Sequence, residues 1–99
     1  MADDTNFVTE TACINWFDSS HQLHIRVYSS NGDTITERSN DGSGWTTGTF
    51  SQPGSHVSAM VWTVNGGAYV RVYCTVEGTT TEWCWDPGTG WYKGGYTQA

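Results

Sequence analysis

One stretch of the chain occurs twice, and this repetition limits the possible folds more than any other feature. Residues Ile25–Phe50 read IRVYSSNGDTITERSNDGSGWTTGTF, and Val70–Tyr96 read VRVYCTVEGTTTEWCWDPGTGWYKGGY. Arg26 matches Arg71 and Glu37 matches Glu82 at a spacing of 45 residues. Trp16 matches Trp62, Trp45 matches Trp91 and Gly48 matches Gly94 at 46, since DPGTGW is one residue longer than DGSGW. Repetition at such a period signals one supersecondary unit per repeat, each needing a neighbour to cover its apolar face.

The repeated unit is all-β. Leucine occurs once, at Leu23, which leaves no buried stripe for a helix. Thr, Val, Trp and Tyr between regularly placed glycines suit short strands and tight turns. Four strands are expected in the first unit, near 12–17, 23–29, 33–39 and 44–50. Four more are expected in the second, near 58–64, 68–75, 79–85 and 90–97. Four strands per repeat make one antiparallel propeller blade. The expected layout is a flexible N-terminal segment at 1–10, blade 1 at 11–53 and blade 2 at 54–99, with SQPGS (51–55) as connector. Two blades cannot close a ring, so copies must assemble by cyclic symmetry into four, six or eight blades. The periodicity alone does not choose among these, and a single two-sheet sandwich is the competing architecture.

Asn31-Gly32 is a two-residue hairpin signal. A loop there makes cross-strand partners sum to 63, which places Arg26 directly opposite Glu37. Arg71 and Glu82 repeat the arrangement around Val76-Glu77. A planar guanidinium beside a carboxylate presents donors and acceptors at the spacing of vicinal sugar hydroxyls. Water competes for those bonds, so apolar contact must supply affinity, and an indole packs well on the C–H face of a pyranose. Trp85 and Trp91, with Trp45 in the first unit, are the candidate platforms. Gly48, Gly94 and Gly95 are expected to let a ligand approach the backbone. Trp16 and Trp62 are expected in the core.

Other chemistries find little support. A net charge of −6 with four basic residues argues against nucleic-acid partners and anionic membranes. A glycosidase needs two carboxylates flanking one bond, whereas each repeat offers one paired glutamate. His21, His24 and His56 lie outside the repeats and are expected to be solvated or structural. No GxSxG, P-loop or HExxH motif occurs, so the chain is not expected to be an enzyme. Cys13, Cys74 and Cys84 are expected to be small buried thiols rather than a disulfide or metal site. The opening MADDTNFVTE has neither a basic start nor an apolar core, and no run is long enough to span or insert into a membrane. The expectation is synthesis in the cytoplasm without a classical signal peptide. Non-classical export and action at cell surfaces stay open.

From 11 to 97 these motifs, in order and spacing, resemble the small two-repeat fucose-binding lectins of the Ralstonia solanacearum and Burkholderia ambifaria type. They are more distantly similar to the Aleuria aurantia fungal lectin family. The resemblance implies a homotrimer closing a six-bladed β-propeller, with no cofactor and no metal. It implies multivalent recognition of L-fucose on fucosylated oligosaccharides and glycoconjugates. The site within one chain would use Arg26, Glu37, Gly48 and Thr49 with Trp85 and Trp91. The site between chains would use Arg71, Glu82, Gly94 and Gly95 with Trp45 and Asn40 of the next copy. Asn40 departs from the pattern, because the family usually has an aromatic there, as Trp85 is here. The inter-chain site is therefore expected to be weaker or differently selective. The rival readings are a lectin for another sugar and a propeller serving as a protein-interaction platform.

Overall fold

The computed structural model describes residues 7–98. Eight strands form two four-stranded antiparallel sheets, and no helix occurs among the described residues. The first sheet contains β1 (Glu10–Phe17), β2 (Leu23–Ser30), β3 (Thr34–Asn40) and β4 (Trp45–Pro53). The second contains β5 (His56–Val64), β6 (Gly67–Val76), β7 (Thr79–Asp86) and β8 (Gly90–Lys93). In both sheets the strands neighbour one another in chain order. This simple up-and-down meander lacks the crossing connections of a Greek-key sandwich.

Alternation decides which faces meet. On β6 every second residue from Ala68 to Cys74 is buried, the period a pleated strand imposes. Ala68, Val70, Val72 and Cys74 join Val57 of β5 and, from the first sheet, Ile14, Tyr28, Ile35 and Phe50 in a single core. The first strands of the two sheets, β1 and β5, run beside one another. The pair of sheets forms a slab 17 Å across its thinnest direction.

The connector is short. β4 continues to Pro53, and Gly54 and Ser55 then carry the chain into β5. Gly54 is buried against Ile35, where a Cβ would lie 2.3 Å from Cδ1, so only glycine fits this passage. Its carbonyl accepts a 2.9 Å hydrogen bond from the buried Ser30 hydroxyl.

Two expectations need correction. β8 ends at Lys93 rather than near 97. Beyond it the Tyr96 N–H bonds the side chain of Glu82 (3.1 Å) instead of a ladder carbonyl. Cys74 and Cys84 are buried thiols, but Cys13 is exposed, since it alternates with core-facing Ile14 on β1. The segment expected to be flexible at 1–10 lies outside the described residues up to residue 6. From Thr9, whose N–H bonds Ser30 O at 2.8 Å, the chain runs into β1.

Candidate functional site

Arg26 on β2 and Glu37 on β3 do not face each other directly. Arg26 pairs with Ser39, and Glu37 pairs with Tyr28. The turn is centred one residue beyond the expected point, at Gly32-Asp33, with the Asn31 N–H bonded to Thr34 O (3.2 Å). Asn31 precedes the turn and caps it, its Oδ1 accepting from the N–H groups of Asp33 (3.0 Å) and Thr34 (2.9 Å). In the second sheet the turn falls at Glu77-Gly78, both with positive φ (47° and 82°), rather than at Val76-Glu77. Arg71 accordingly faces Cys84, and Glu82 faces Tyr73. Both slips displace the partner by two residues, so each arginine and glutamate still share one face.

Each charged group is anchored by its own partner. The Arg26 guanidinium donates from Nη1 to Asp41 Oδ1 (2.8 Å) and to Ile25 O (2.9 Å), and its Cζ sits 4.9 Å from the centroid of the Trp16 ring. Glu37, buried, accepts at Oε2 a 2.7 Å bond from the Tyr28 hydroxyl. The second sheet repeats this set: Arg71 donates to Asp86 (2.7 Å) and lies 4.7 Å over Trp62, and the Tyr73 hydroxyl donates to Glu82 (2.8 Å). The expected arginine–glutamate pairs are thus arginine–aspartate and tyrosine–glutamate pairs. Trp16 and Trp62 are likewise not core residues. Trp16 is half-buried at the core's edge, Trp62 is 40 % exposed, and both are platforms for a guanidinium.

Gly48 makes room for the glutamate side chain. The β3–β4 ladder shifts register between Thr36 and Arg38, and the extra residues of β4 bulge opposite Glu37. A Cβ on Gly48 would lie 1.9 Å from Glu37 Oε1, and one on Gly94 would lie 2.1 Å from Glu82 Oε1. Gly95 has open space around it.

The two sheets enclose a cleft of about 200 Å³. Arg26, Glu37, Gly48 and Thr49 line it from the first sheet, and Trp85 and Trp91 line it from the second. All six residues of the expected within-chain site therefore meet in one place. Trp85 and Trp91 are cross-strand partners on β7 and β8, and Trp91 packs on Phe50 with ring centroids 4.6 Å apart. Trp16, Tyr28, Ser39 and Val70 complete the lining and escaped the sequence reading, as did Asp41 beneath Arg26. A signal existed: Tyr28 and Tyr73, like Asp41 and Asp86, repeat at the same spacing of 45 as the arginines.

The residues expected between chains fall into two separate groups. Arg71, Glu82 and Gly94 cluster around Tyr73 on the second sheet. Asn40 and Trp45 pair with each other across β3 and β4 of the first. Asn40 has the same ladder position as Trp85, facing Ile25 as Trp85 faces Val70. Its Oδ1 accepts from the Gly42 N–H at 2.9 Å. Neither group lines the cleft.

His24 is a structural histidine, with Asp18 at one ring nitrogen (2.8 Å) and Asp41 at the other (2.7 Å). Those two carboxylates hold its pKa above the ordinary value. Burial alone would raise the Asp41 carboxyl, but the hydrogen bonds from Arg26 and then His24 outweigh it and hold the group below its usual range. No cluster of three or more His, Cys, Asp or Glu suited to a metal ion occurs among the described residues.

The arrangement offers, in one small cleft, a guanidinium with free edges, a fixed carboxylate and two indoles from the opposite sheet. That is the chemistry of a polar ligand with an apolar face. A search of curated proteins finds no match to the chain. The family model for fungal fucose-specific lectins matches residues 2–99, nearly the whole sequence, and the chain belongs to that family of carbohydrate-binding lectins.

Proposed function

We propose that the cleft binds L-fucose on fucosylated glycans, and that three copies close a six-bladed ring carrying further sites between chains. The observation that carries the sugar reading is the convergence of Arg26 and Glu37 with Trp85 and Trp91 across the two sheets. Arg26 and Glu37 hydrogen-bond the ring and hydroxyl oxygens, while the indoles take the C–H face of the sugar. The cleft is smaller than the ~300–1,000 Å³ of drug-sized sites, which suits one sugar residue rather than an extended chain. Among the described residues Glu37 is its only lining carboxylate, whereas a glycosidase uses two about 5–9.5 Å apart, so the proposed role is binding without catalysis.

Ring closure is supported by unequal exposure of equivalent residues. Phe50 is 2 % exposed because Trp91 covers it, while its counterpart Tyr96 is 46 % exposed. The second sheet thus presents uncovered the face that the first sheet buries against it. A second copy supplying Asn40 and Trp45 covers that face and completes the pocket of Arg71 and Glu82. The sites then act together on a glycan-covered surface, whether reached by non-classical export or at the producing cell.

Calorimetric titration with methyl α-L-fucoside tests the assignment through its stoichiometry. Two sites per chain are expected if both pockets bind, and one if Asn40 disables the second. No heat at millimolar fucoside, with protection from thermal unfolding by a different monosaccharide, would reassign the sugar. No protection by any monosaccharide would replace the lectin reading with a protein-interaction platform.

A further inference from the structure

We propose that His24 is a positioning residue for the Arg26 pocket: its imidazolium holds Asp41, Asp41 holds the guanidinium, and the pocket weakens when His24 loses its proton. The proposal rests on the reading that Arg26 meets the sugar.

The geometry demands a doubly protonated ring. His24 Nε2 lies 2.8 Å from Asp18 Oδ2, and Nδ1 lies 2.7 Å from Asp41 Oδ1. Ionised carboxylates only accept, so both nitrogens must donate, which a neutral imidazole cannot do. Asp41 Oδ1 is also the atom that accepts from Arg26 Nη1. One oxygen therefore links the histidine to the pocket's guanidinium. His24 additionally stacks on Trp16, with centroids 5.1 Å apart and planes 13° from parallel, the same ring that carries Arg26.

When the ring is neutral, one carboxylate faces a lone pair and that contact opens. Asp18 is fixed in the β1–β2 turn, its Oδ1 accepting from the N–H groups of Ser20 (2.8 Å) and Gln22 (3.1 Å). Asp41 stands just beyond the end of β3 with its side chain 50 % exposed. Asp41 is therefore the partner that moves, and it releases the guanidinium it anchors. The charged groups facing His24 are Asp18, Asp41 and, on its own strand, Arg26. Trp16 of β1 is uncharged, and the β5–β6 turn approaches through Gly66 against Ser19 and brings no charge. These surroundings favour the protonated form, in keeping with the raised pKa.

The second sheet performs the same task without a titrating ring. Tyr69 stands in place of His24 and stacks on Trp62 at 5.4 Å. Asp86, which holds Arg71, is secured at Oδ2 by the Tyr92 hydroxyl, whose pKa that bond pushes up to about 12. Thr46 stands in place of Tyr92 in the first sheet, facing Ser39 as Tyr92 faces Cys84. The two site classes thus differ in their response to pH.

The test titrates methyl α-L-fucoside into the full chain carrying Arg71→Ala, which leaves the Arg26 pocket alone, between about pH 5 and about pH 8. Affinity is expected to fall about three- to tenfold across the range, the scale of one charge-assisted contact. His24→Gln should flatten the profile at the weaker level. His24→Tyr with Thr46→Tyr, the second sheet's solution, should flatten it at the tighter level. An unchanged affinity across the range, or an undiminished pH dependence in His24→Gln, would overturn the proposal. In parallel, NMR follows the His24 ring and the Arg26 Nε–H of the sugar-free wild type, a readout that needs no folded variant. Arg26 is expected to shift with His24 deprotonation, and a stationary Arg26 would overturn the linkage. No heat at any pH would reject fucose alone, and the NMR titration would then decide on His24.

Discussion

Gly48 and Gly94 occupy equivalent points in the two sheets, and at each a methyl group would strike the carboxylate that the site presents. The collision is with Glu37 Oε1 or Glu82 Oε1, so relief requires moving the carboxylate to which the proposed function assigns sugar contact. Gly48→Ala is predicted to destabilise the fold by about 1–3 kcal/mol and to weaken fucoside binding at least about tenfold. Gly95→Ala meets nothing and should stay within about 0.5 kcal/mol of wild type. Chemical denaturation with calorimetry on both variants checks the contrast, and equal losses at the two positions would contradict it. Tyr28 makes a second residue-scale case, being fully buried and donating to a buried carboxylate. Tyr28→Phe leaves Glu37 Oε2 without its donor and should cost about 1–3 kcal/mol. Tyr73→Phe, at a more open position where water can replace the hydroxyl, should cost visibly less in the same denaturation experiment.

At the scale of strands and turns, the sequence determines faces better than it determines register. Strand-forming residues between glycine-rich turns locate all eight strands, and the hairpin count puts Arg26 with Glu37 and Arg71 with Glu82 on shared faces. Turn chemistry then misled at both hairpins. Asn31, expected at a central turn position, serves as a side-chain cap before it, and the second turn is centred on Glu77-Gly78 rather than Val76-Glu77. The partners of the charged groups were illegible for that reason, since Asp41 and Asp86 come from turns whose geometry no alternation encodes. Trp16 and Trp62 failed differently: their repetition was legible, but repetition does not distinguish a buried ring from one that carries an arginine. A pairing between elements also escaped notice. Glu10 at the start of β1 accepts from the Val57 N–H at the start of β5 and lies 3.3 Å from His56 Nδ1, stapling the two sheets. The Val57 hydrogen bond, followed by that of His56, lowers its pKa below the ordinary glutamate value. Its contribution to stability is therefore fully present above that value and is lost as pH falls through the lower folded pKa. Asp18 and Asp86, also lowered, act in the same acid range, so the prediction concerns a difference. Thermal midpoints of Glu10→Gln and wild type should converge as the pH drops below the carboxylate range. A gap that stays constant with pH would remove the staple from the account.

At the scale of the whole molecule, the proposed ring assigns to one chain a complete pocket and the two halves of another. Arg71, Glu82 and Gly94 stand on the uncovered face of the second sheet, with Trp62 and Tyr96 40 % and 46 % exposed. Trp45, 47 % exposed, stands with Asn40 on the first. A chain that left these surfaces in water would carry a large aromatic penalty, whereas the proposed cyclic closure would join the halves and bury both. In the proposed assembly the second pocket would differ from the first at one decisive place, since Asn40 occupies the ladder position of Trp85. An amide cannot match the area an indole offers to a sugar's C–H face, a loss of about 1 kcal/mol or somewhat more. Asn40→Trp is therefore predicted to strengthen the weaker site class by about five- to tenfold and leave the Arg26 pocket unchanged. Calorimetry resolving two classes of site in wild type and nearly one in the variant checks this. Unchanged isotherms would mean that Asn40 does not face the sugar. Assembly itself is tested by avidity: a variant verified as monomeric should retain fucoside binding in the Arg26 pocket yet lose agglutination, because linked sites exceed single-site affinity by about 10²–10⁴. Undiminished agglutination by such a monomer would detach the multivalent function from the ring and leave the single cleft as the whole of the binding activity.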